Sequence, residues 1–236
     1  MEIRISSLLD GAAQATGGVA IIDVFRAFTT AAVAFGNGAS HIIMVSTVEE
    51  ALALRDCGVG DICIGEVSGR IPVGFDFGNS PYEVSGIDFT GKSIVQRTSA
   101  GTQGIGAARQ AQRLYAASLV TAHATARALL SSPVEQITLV AMGDRAEVRT
   151  DEDELCALHL RNLLEGRTGN ANAVRQVILA GGDVLRFHDP ERPHLDKRDL
   201  EIALDIDRYD FAIRVRAEQG RFVGRIEKVL EACPQY

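Results

Sequence analysis

Asp23 closes an apolar run at residues 18–24 with Arg26 just beyond it, Glu66 closes a second run at 61–67, and Arg97 and Thr98 close a third at 92–98. Ser46, Ser118 and the pair Gly143-Asp144 hold the equivalent place after three more runs. Continuous apolar runs of this length read as strands buried on both faces. In an open parallel sheet, ligands bind beyond the carboxyl ends of the strands. Carboxylates and arginines gathered there suit a hard cation together with a phosphate ester, the first supplying oxygen ligands and the second donors for the phosphoryl oxygens. Asp23 stands out, because a carboxylate ending a buried strand is rarely there for packing, although an Asp in that place can also cap the next helix.

Other segments carry more than connection requires. The turn Thr98-Ser99-Ala100-Gly101-Thr102-Gln103-Gly104-Ile105-Gly106 joins a strand to a helix, and its N–H groups could cradle an anion or simply make a tight turn. Its glycines fall as GxxGxG, which is neither a dinucleotide fingerprint nor a P-loop. The loop Gly74-Phe75-Asp76-Phe77-Gly78-Asn79-Ser80-Pro81 sets one Asp between two Phe and then opens a helix, which reads as a positioned site element. Asp151-Glu152-Asp153-Glu154 falls in a first helical turn, where carboxylates offset the macrodipole with or without a metal. His188, Asp189 and His194 read as a solvated loop, since their spacing matches no metal motif. His41, His123 and His159 read as structural, and no nucleophile triad can be assigned from order along the chain.

These residues sit in a chain of 236, with 24 Lys and Arg against 31 Asp and Glu and a net charge of −7. At 46% hydrophobic and 23% charged residues the composition is that of a folded globular chain. An acidic balance without a basic block excludes a general nucleic-acid binder. Apolar stretches are broken well before the roughly 20 residues of a membrane span. The amino-terminal residues 1–6 alternate like a strand and lack the features of a signal peptide, so the expectation is a cytoplasmic protein. Cys57, Cys63, Cys156 and Cys233 form no CxxC pair and read as reduced, mostly buried thiols.

The elements that must position the site alternate regularly. Strands are expected at 18–24, 41–46, 61–67, 92–98, 114–119 and 136–142, and helices at 25–35, 47–57, 107–112, 121–130 and 150–164. Thr47 with Glu50, and Thr150 with Asp153, have the spacing of helix caps. Beyond residue 169 come helices at 171–179 and 197–206 around a charged loop, then a hairpin at 211–228 turning near Gln219-Gly220. Strand–helix alternation implies an α/β fold, a three-layer α/β/α arrangement with a mostly parallel central sheet. The simplest organisation is a single domain over 1–236, with the irregular stretch 68–80 the one place that could divide two lobes. A homodimer is the default assembly.

The segments Ile22-Asp23-Val24-Phe25-Arg26-Ala27-Phe28-Thr29-Thr30, Gly65-Glu66, Gly74 to Pro81, Thr98-Ser99-Ala100-Gly101-Thr102 and Glu152-Asp153, in this order, resemble the 2-phosphosulfolactate phosphatase family over about residues 19–160. The resemblance implies a three-layer α/β/α phosphatase that depends on Mg²⁺. Its founding reaction converts 2-phosphosulfolactate to sulfolactate and phosphate on the route to coenzyme M. Carried over by position, it implies metal-binding or water-activating carboxylates at Asp23, Glu66, Asp76, Glu152 and Asp153. It also implies substrate contacts from Arg26, Asn79, Ser80 and the turn bearing Thr98, Gly101 and Thr102. Ala100 departs from the family turn, which usually carries Asn there, and so removes a hydrogen-bonding side chain.

The expected chemistry is metal-assisted hydrolysis of the phosphomonoester of a small, anionic 2-hydroxy acid, with Arg26 and Arg97 holding the phosphate and the neighbouring acid group. A covalent route through Asp23 is less favoured, because the haloacid-dehalogenase arrangement needs a second Asp two residues on and this chain has Phe25. The alternative is a phosphate- or nucleotide-binding protein on the same scaffold with little turnover. A dinucleotide-dependent oxidoreductase fits worse, given the glycine order.

Overall fold

The computed structural model describes residues 1–229. The first half runs β1 (Glu2–Ser7), α1 (Leu8–Gln14), β2 (Gly17–Ile22), α2 (Ala27–Gly36), β3 (His41–Val45), α3 (Val48–Asp56), β4 (Ile62–Gly65), α4 (Pro81–Val84), β5 (Ser93–Arg97) and α5 (Gly101–Ala107). It continues with β6 (Ala111–Ala117), α6 (Ala122–Leu130), β7 (Gln136–Ala141), α7 (Asp151–Leu164), α8 (Ala171–Ala180), α9 (Lys197–Ala203), β8 (Ala212–Glu218) and β9 (Arg221–Glu227). Short 3₁₀ turns cover Leu119–Thr121 and Asp183–His188. Among the described residues no helix is long and apolar enough to cross a membrane.

The described strands form one nine-stranded sheet in the order β1-β7-β2-β6-β8-β9-β3-β5-β4. Two parallel sets, β1-β7-β2-β6 and β3-β5-β4, are joined by the carboxyl-terminal hairpin β8-β9, which pairs antiparallel with β6 on one side and β3 on the other. Three successive antiparallel pairings reverse the sense, so the two sets run in opposite directions through the sheet. Their carboxyl ends nevertheless meet, since Gly101 after β5 bonds to Asp23 after β2. A twist of roughly 20–25° per strand pair, accumulated over the five pairings between β2 and β5, turns the second set back toward the first.

The curled sheet holds α2 and α5 on its inner face. Val19 and Ile21 of β2, Ile42 and Met44 of β3, and Ile94 of β5 share one buried cluster with Phe28, Ala31 and Ile105 of those helices. The outer face carries two separate clusters. Ile22, Leu139 and Tyr115 pack under Leu129 of α6, Cys156 and Leu160 of α7 and Leu200 of α9. Ile43, Cys63 and Val95 pack under Ala51 and Leu54 of α3. This is the three-layer α/β/α arrangement, and full burial of each such Ile, Leu or Phe is worth about 1.5–3 kcal/mol. That surplus offsets the charged groups buried at the site.

Local signals explain most elements. β2 is buried at every position, and Thr47 accepts the Glu50 N–H at 3.1 Å to start α3. The helix expected at 107–112 is displaced, for α5 occupies the glycine-rich residues before it and β6 begins at Ala111. Thr150 does not cap α7 through its side chain, and the Asp153 carboxylate, instead of completing a capping box, accepts the N–H groups of Val24 and Gly143. Cys63 and Cys156 are buried and Cys57 is exposed, all three free; Cys233 lies outside the described residues.

Candidate active site

The ends of β2, β4 and β5 come together around the turn at residues 99–101. Asp23 accepts the Ala27 N–H on Oδ1 at 2.9 Å and the Gly101 N–H on Oδ2 at 2.8 Å. Glu66 accepts the N–H groups of Gly69 and Ser99 and, at 3.1 Å, the Ser99 hydroxyl. The turn is thus strung between two carboxylates, and the N–H groups of Ser99 and Gly101 that could have cradled an anion are taken. Asp23 serves both readings of its position, supporting the start of α2 while facing the cleft. Burial pushes its carboxyl up to about 6, the charge of Glu66 adds to the rise, and the two N–H groups and Arg186 oppose it.

Arg26 lies beside them, 4% exposed at its side chain. Its Nη1 donates to Asp199 Oδ2 at 2.7 Å and to the His194 carbonyl at 3.1 Å. Among the described residues no partner engages the rest of its guanidinium edge, which faces the cleft. Asn79 also faces the cleft, 7% exposed, with Oδ1 buried and without a hydrogen-bond partner. A buried amide left unsatisfied is costly and calls for a ligand or water.

The cleft these residues floor has a volume of about 450 Å³. Its outer walls come from Ser68 to Arg70, from Gly143 to Arg145, and from the 3₁₀ turn and loop at Arg186 to Leu195. Arg70, Arg145, Arg186 and Arg192 line it together with Asp144, Asp189 and Glu191. Arg186 is held by Glu152 at 3.0 Å and lies over the rings of Phe25 and Phe187. Burial pushes the Glu152 carboxyl up to about 7 against the pull of Arg186. Burial also lowers the His194 imidazole, with Arg70, Arg26 and Arg192 acting in the same direction. In the loop expected to be solvated, His188 is exposed, while Asp189 and His194, both partly exposed, also line the cleft. Arg186, Arg192 and Asp199 were not anticipated. The cluster of arginines between 186 and 198 was the available signal.

Several expected site residues lie elsewhere. Asp76 accepts the Cys63 N–H at 2.8 Å and pairs with Arg55 at 3.3 Å, clamping its loop to β4 away from the cleft. Ser80 accepts the Glu83 N–H to start α4 and donates to Asp199 at 2.6 Å. Arg97 donates to the carbonyls of Ser46 and Glu66. Thr98 and Thr102 bond to each other's backbone and are 1% exposed. Asp153 accepts the N–H groups of Val24 and Gly143, both at 2.8 Å, tying the ends of β2 and β7 to α7. Burial first, then the charges of Glu152 and Asp23, hold its carboxyl well above the usual range. Of the metal set Asp23, Glu66, Asp76 and Glu152, the structure brings only Asp23 and Glu66 to the cleft wall.

Among the described residues no group of three or more His, Cys, Asp and Glu side chains is disposed to cage a metal ion. Asp23 and Glu66 still fit a hard divalent cation of the kind that takes one or two carboxylates and completes its shell with water and phosphate oxygens. Two acidic side chains crowding one turn, with the charge of one raising the other, are a donor set that such a cation relieves.

A cleft with a carboxylate floor, an immobilised arginine and arginine-bearing walls suits a small phosphorylated anion. The comparisons agree with that chemistry. A family model described as 2-phosphosulpholactate phosphatase matches residues 5–189. A Bacillus subtilis protein named "Probable 2-phosphosulfolactate phosphatase" is 30% identical over 211 residues, covering 89% of this chain and 91% of its own. Proteins of the same name from Deinococcus radiodurans and Thermotoga maritima are 40% and 36% identical over 133 and 150 residues, or 56% and 64% of this chain and 55% and 64% of theirs. With its fold, its strand-end carboxylates and these matches taken together, this chain belongs to the 2-phosphosulfolactate phosphatase family.

Proposed function

We propose that the protein is a Mg²⁺-dependent phosphatase acting on the phosphomonoester of a small 2-hydroxy acid, with 2-phosphosulfolactate yielding sulfolactate and phosphate as the expected reaction. The observation that carries this reading is the convergence of Asp23, Glu66, the open edge of Arg26 and the unpartnered Asn79 on one cleft.

Arg26 is held at Nη1 alone, so its remaining N–H groups are pre-set to take phosphoryl oxygens, and no reorganisation is needed when substrate enters. Asn79 can donate its Nδ2 hydrogens to an oxygen of the same ester, while its unpartnered Oδ1, an acceptor, takes a hydrogen from a bridging water. Asp23 and Glu66 are the residues that would hold Mg²⁺, which when bound neutralises phosphoryl charge. Both oxygens of Asp23 already accept N–H groups, which disfavours their use as a nucleophile and supports attack by water. In that step water forms the new P–O bond, the ester oxygen departs with the electron pair of the bond broken, and a proton passes from the water to a carboxylate or the leaving oxygen.

The test is phosphate release from 2-phosphosulfolactate and phospholactate with and without Mg²⁺. Release that needs Mg²⁺ supports the reading, and no release from either ester overturns it. Ala100 lines the cleft with no hydrogen-bonding side chain, which favours, as a second reading, a binding protein with little turnover. That reading predicts thermal stabilisation by the same esters without release.

A further inference from the structure

We propose that Asp199 is a positioning residue for this site, holding Arg26 and the Asn79 loop in one arrangement from a segment beyond residue 189, where the family match ends. The proposal rests on the reading of the cleft as a phosphate site. Asp199 lies in the first turn of α9 and is fully buried. Its Oδ2 takes the Arg26 Nη1 at 2.7 Å, while Oδ1 takes the Ser80 hydroxyl at 2.6 Å and the Tyr82 N–H at 3.0 Å. One carboxylate therefore ties α9 to two segments that are 173 and 119 residues from it along the chain.

The geometry separates this from an ordinary buried ion pair. A pair placed only for cohesion would exhaust both partners, but Asp199 takes one nitrogen of Arg26 and leaves the cleft-facing edge open. Its other oxygen fixes the residue immediately after Asn79, so the two groups offered to a ligand are set by the same carboxylate. A guanidinium on a flexible stem must be immobilised before it can present two donors to a phosphoryl group, and a fixed carboxylate behind it does this. Asp199 touches no ligand itself and acts through Arg26 and Ser80.

The test is a double-substitution cycle read by calorimetry with inorganic phosphate and by steady-state phosphate release. Arg26→Ala is expected to weaken phosphate binding about tenfold or more, as expected for loss of a charge-assisted contact. Asp199→Asn should weaken it similarly and raise KM more than it lowers kcat, with Asp199→Asn in the Arg26→Ala background adding little. Additive losses, or a lowered melting temperature with unchanged phosphate affinity, overturn the proposal. If Asp199→Asn does not fold, Ser80→Ala, which leaves the ion pair intact, decides in a second cycle. Paired with Asn79→Ala in place of Arg26→Ala, a roughly threefold loss of affinity that disappears in the Asn79→Ala background supports positioning, and an unchanged affinity overturns it. Wild-type protein that binds phosphate but hydrolyses neither ester removes the phosphatase reading and leaves the binding cycle decisive. Wild-type protein that does neither removes both.

Discussion

The carboxylate of Asp23 accepts the N–H of Gly101 at 2.8 Å, joining the end of β2 to the first residue of α5 across 78 residues of chain. A Cβ on Gly101 would lie 2.8 Å from the Ala27 Cβ, 2.9 Å from Asp23 Oδ2 and 3.0 Å from the Phe28 ring. The approach that lets the turn bond to Asp23 therefore leaves no room for a side chain. Gly101→Ala is expected to destabilise by about 1–3 kcal/mol, the usual range for overpacking. It should also cut phosphate release by displacing Asp23. Melting curves with steady-state assays check this, and wild-type activity in the variant would show that the approach does not set the carboxylate.

Asn79 gives a prediction of opposite sign for stability and function. Its Oδ1 is buried with no partner in the free protein, so Asn79→Ala removes an unsatisfied group and should leave the melting temperature unchanged or higher. The same change should raise KM for the ester several-fold, by about 1 kcal/mol of lost hydrogen bonding. A fall in stability with unchanged KM would contradict the assignment of this amide to ligand.

When divalent metal is absent, stability should fall as pH rises from about 4 to about 7. The Glu152 carboxyl is pushed up to about 7 and that of Asp23 to about 6, from ordinary values of 4.5 and 3.8. The folded chain thus keeps protons that the unfolded chain has released, so the contribution is whole below the ordinary values and lost as pH passes the raised ones. For Glu152 alone the span corresponds to roughly 3 kcal/mol at 1.36 kcal/mol per pH unit. Urea midpoints at pH 5 and pH 8 measure the drop, and Glu152→Gln should make it smaller. Parallel profiles for variant and wild type would rule Glu152 out as its source.

Removing the charge at the cleft floor should abolish turnover while sparing the fold. Asp23→Asn keeps an acceptor for one of the two N–H groups, and phosphate release is expected to fall by at least about 10²-fold, the scale of losing an electrostatic stabiliser. Chelation of divalent metal should act on the wild type in the same direction and on the variant hardly at all. Full release by Asp23→Asn in the presence of Mg²⁺ would place the chemistry elsewhere.

The residues that were legible in the sequence are those whose position alone carries meaning. An acid ending an apolar strand could be read at Asp23 and Glu66, and a loop too rich for a connector drew attention to Asn79. What could not be read was the use already made of each polar group. Arg97, Thr98, Thr102, Ser80 and Asp76 have suitable types and places, but their donors and acceptors are consumed by backbone and by one another. Asp199 and His194 were hidden for the opposite reason, since their partner Arg26 lies 173 and 168 residues away and no local spacing links them. The displaced helix has a packing cause. Glycines disfavour helix in isolation, yet α5 is helical because Gly104 sits where a Cβ would lie 2.5 Å from Met142 Sδ and 2.8 Å from Ile21.

The hairpin β8-β9 comes last among the described strands along the chain and stands between the two parallel sets. During synthesis β6 and β3 must therefore wait, each with one unpaired edge, until residue 227 is free to join them. Pairings this distant in sequence form slowly, and exposed strand edges are templates for association. A chain stopped short of residue 211 keeps its strand-end carboxylates but cannot unite the two sets. Such a chain is expected to leave one edge each of β6 and β3 open to association, and a higher aggregated fraction on refolding than for the whole chain would show it.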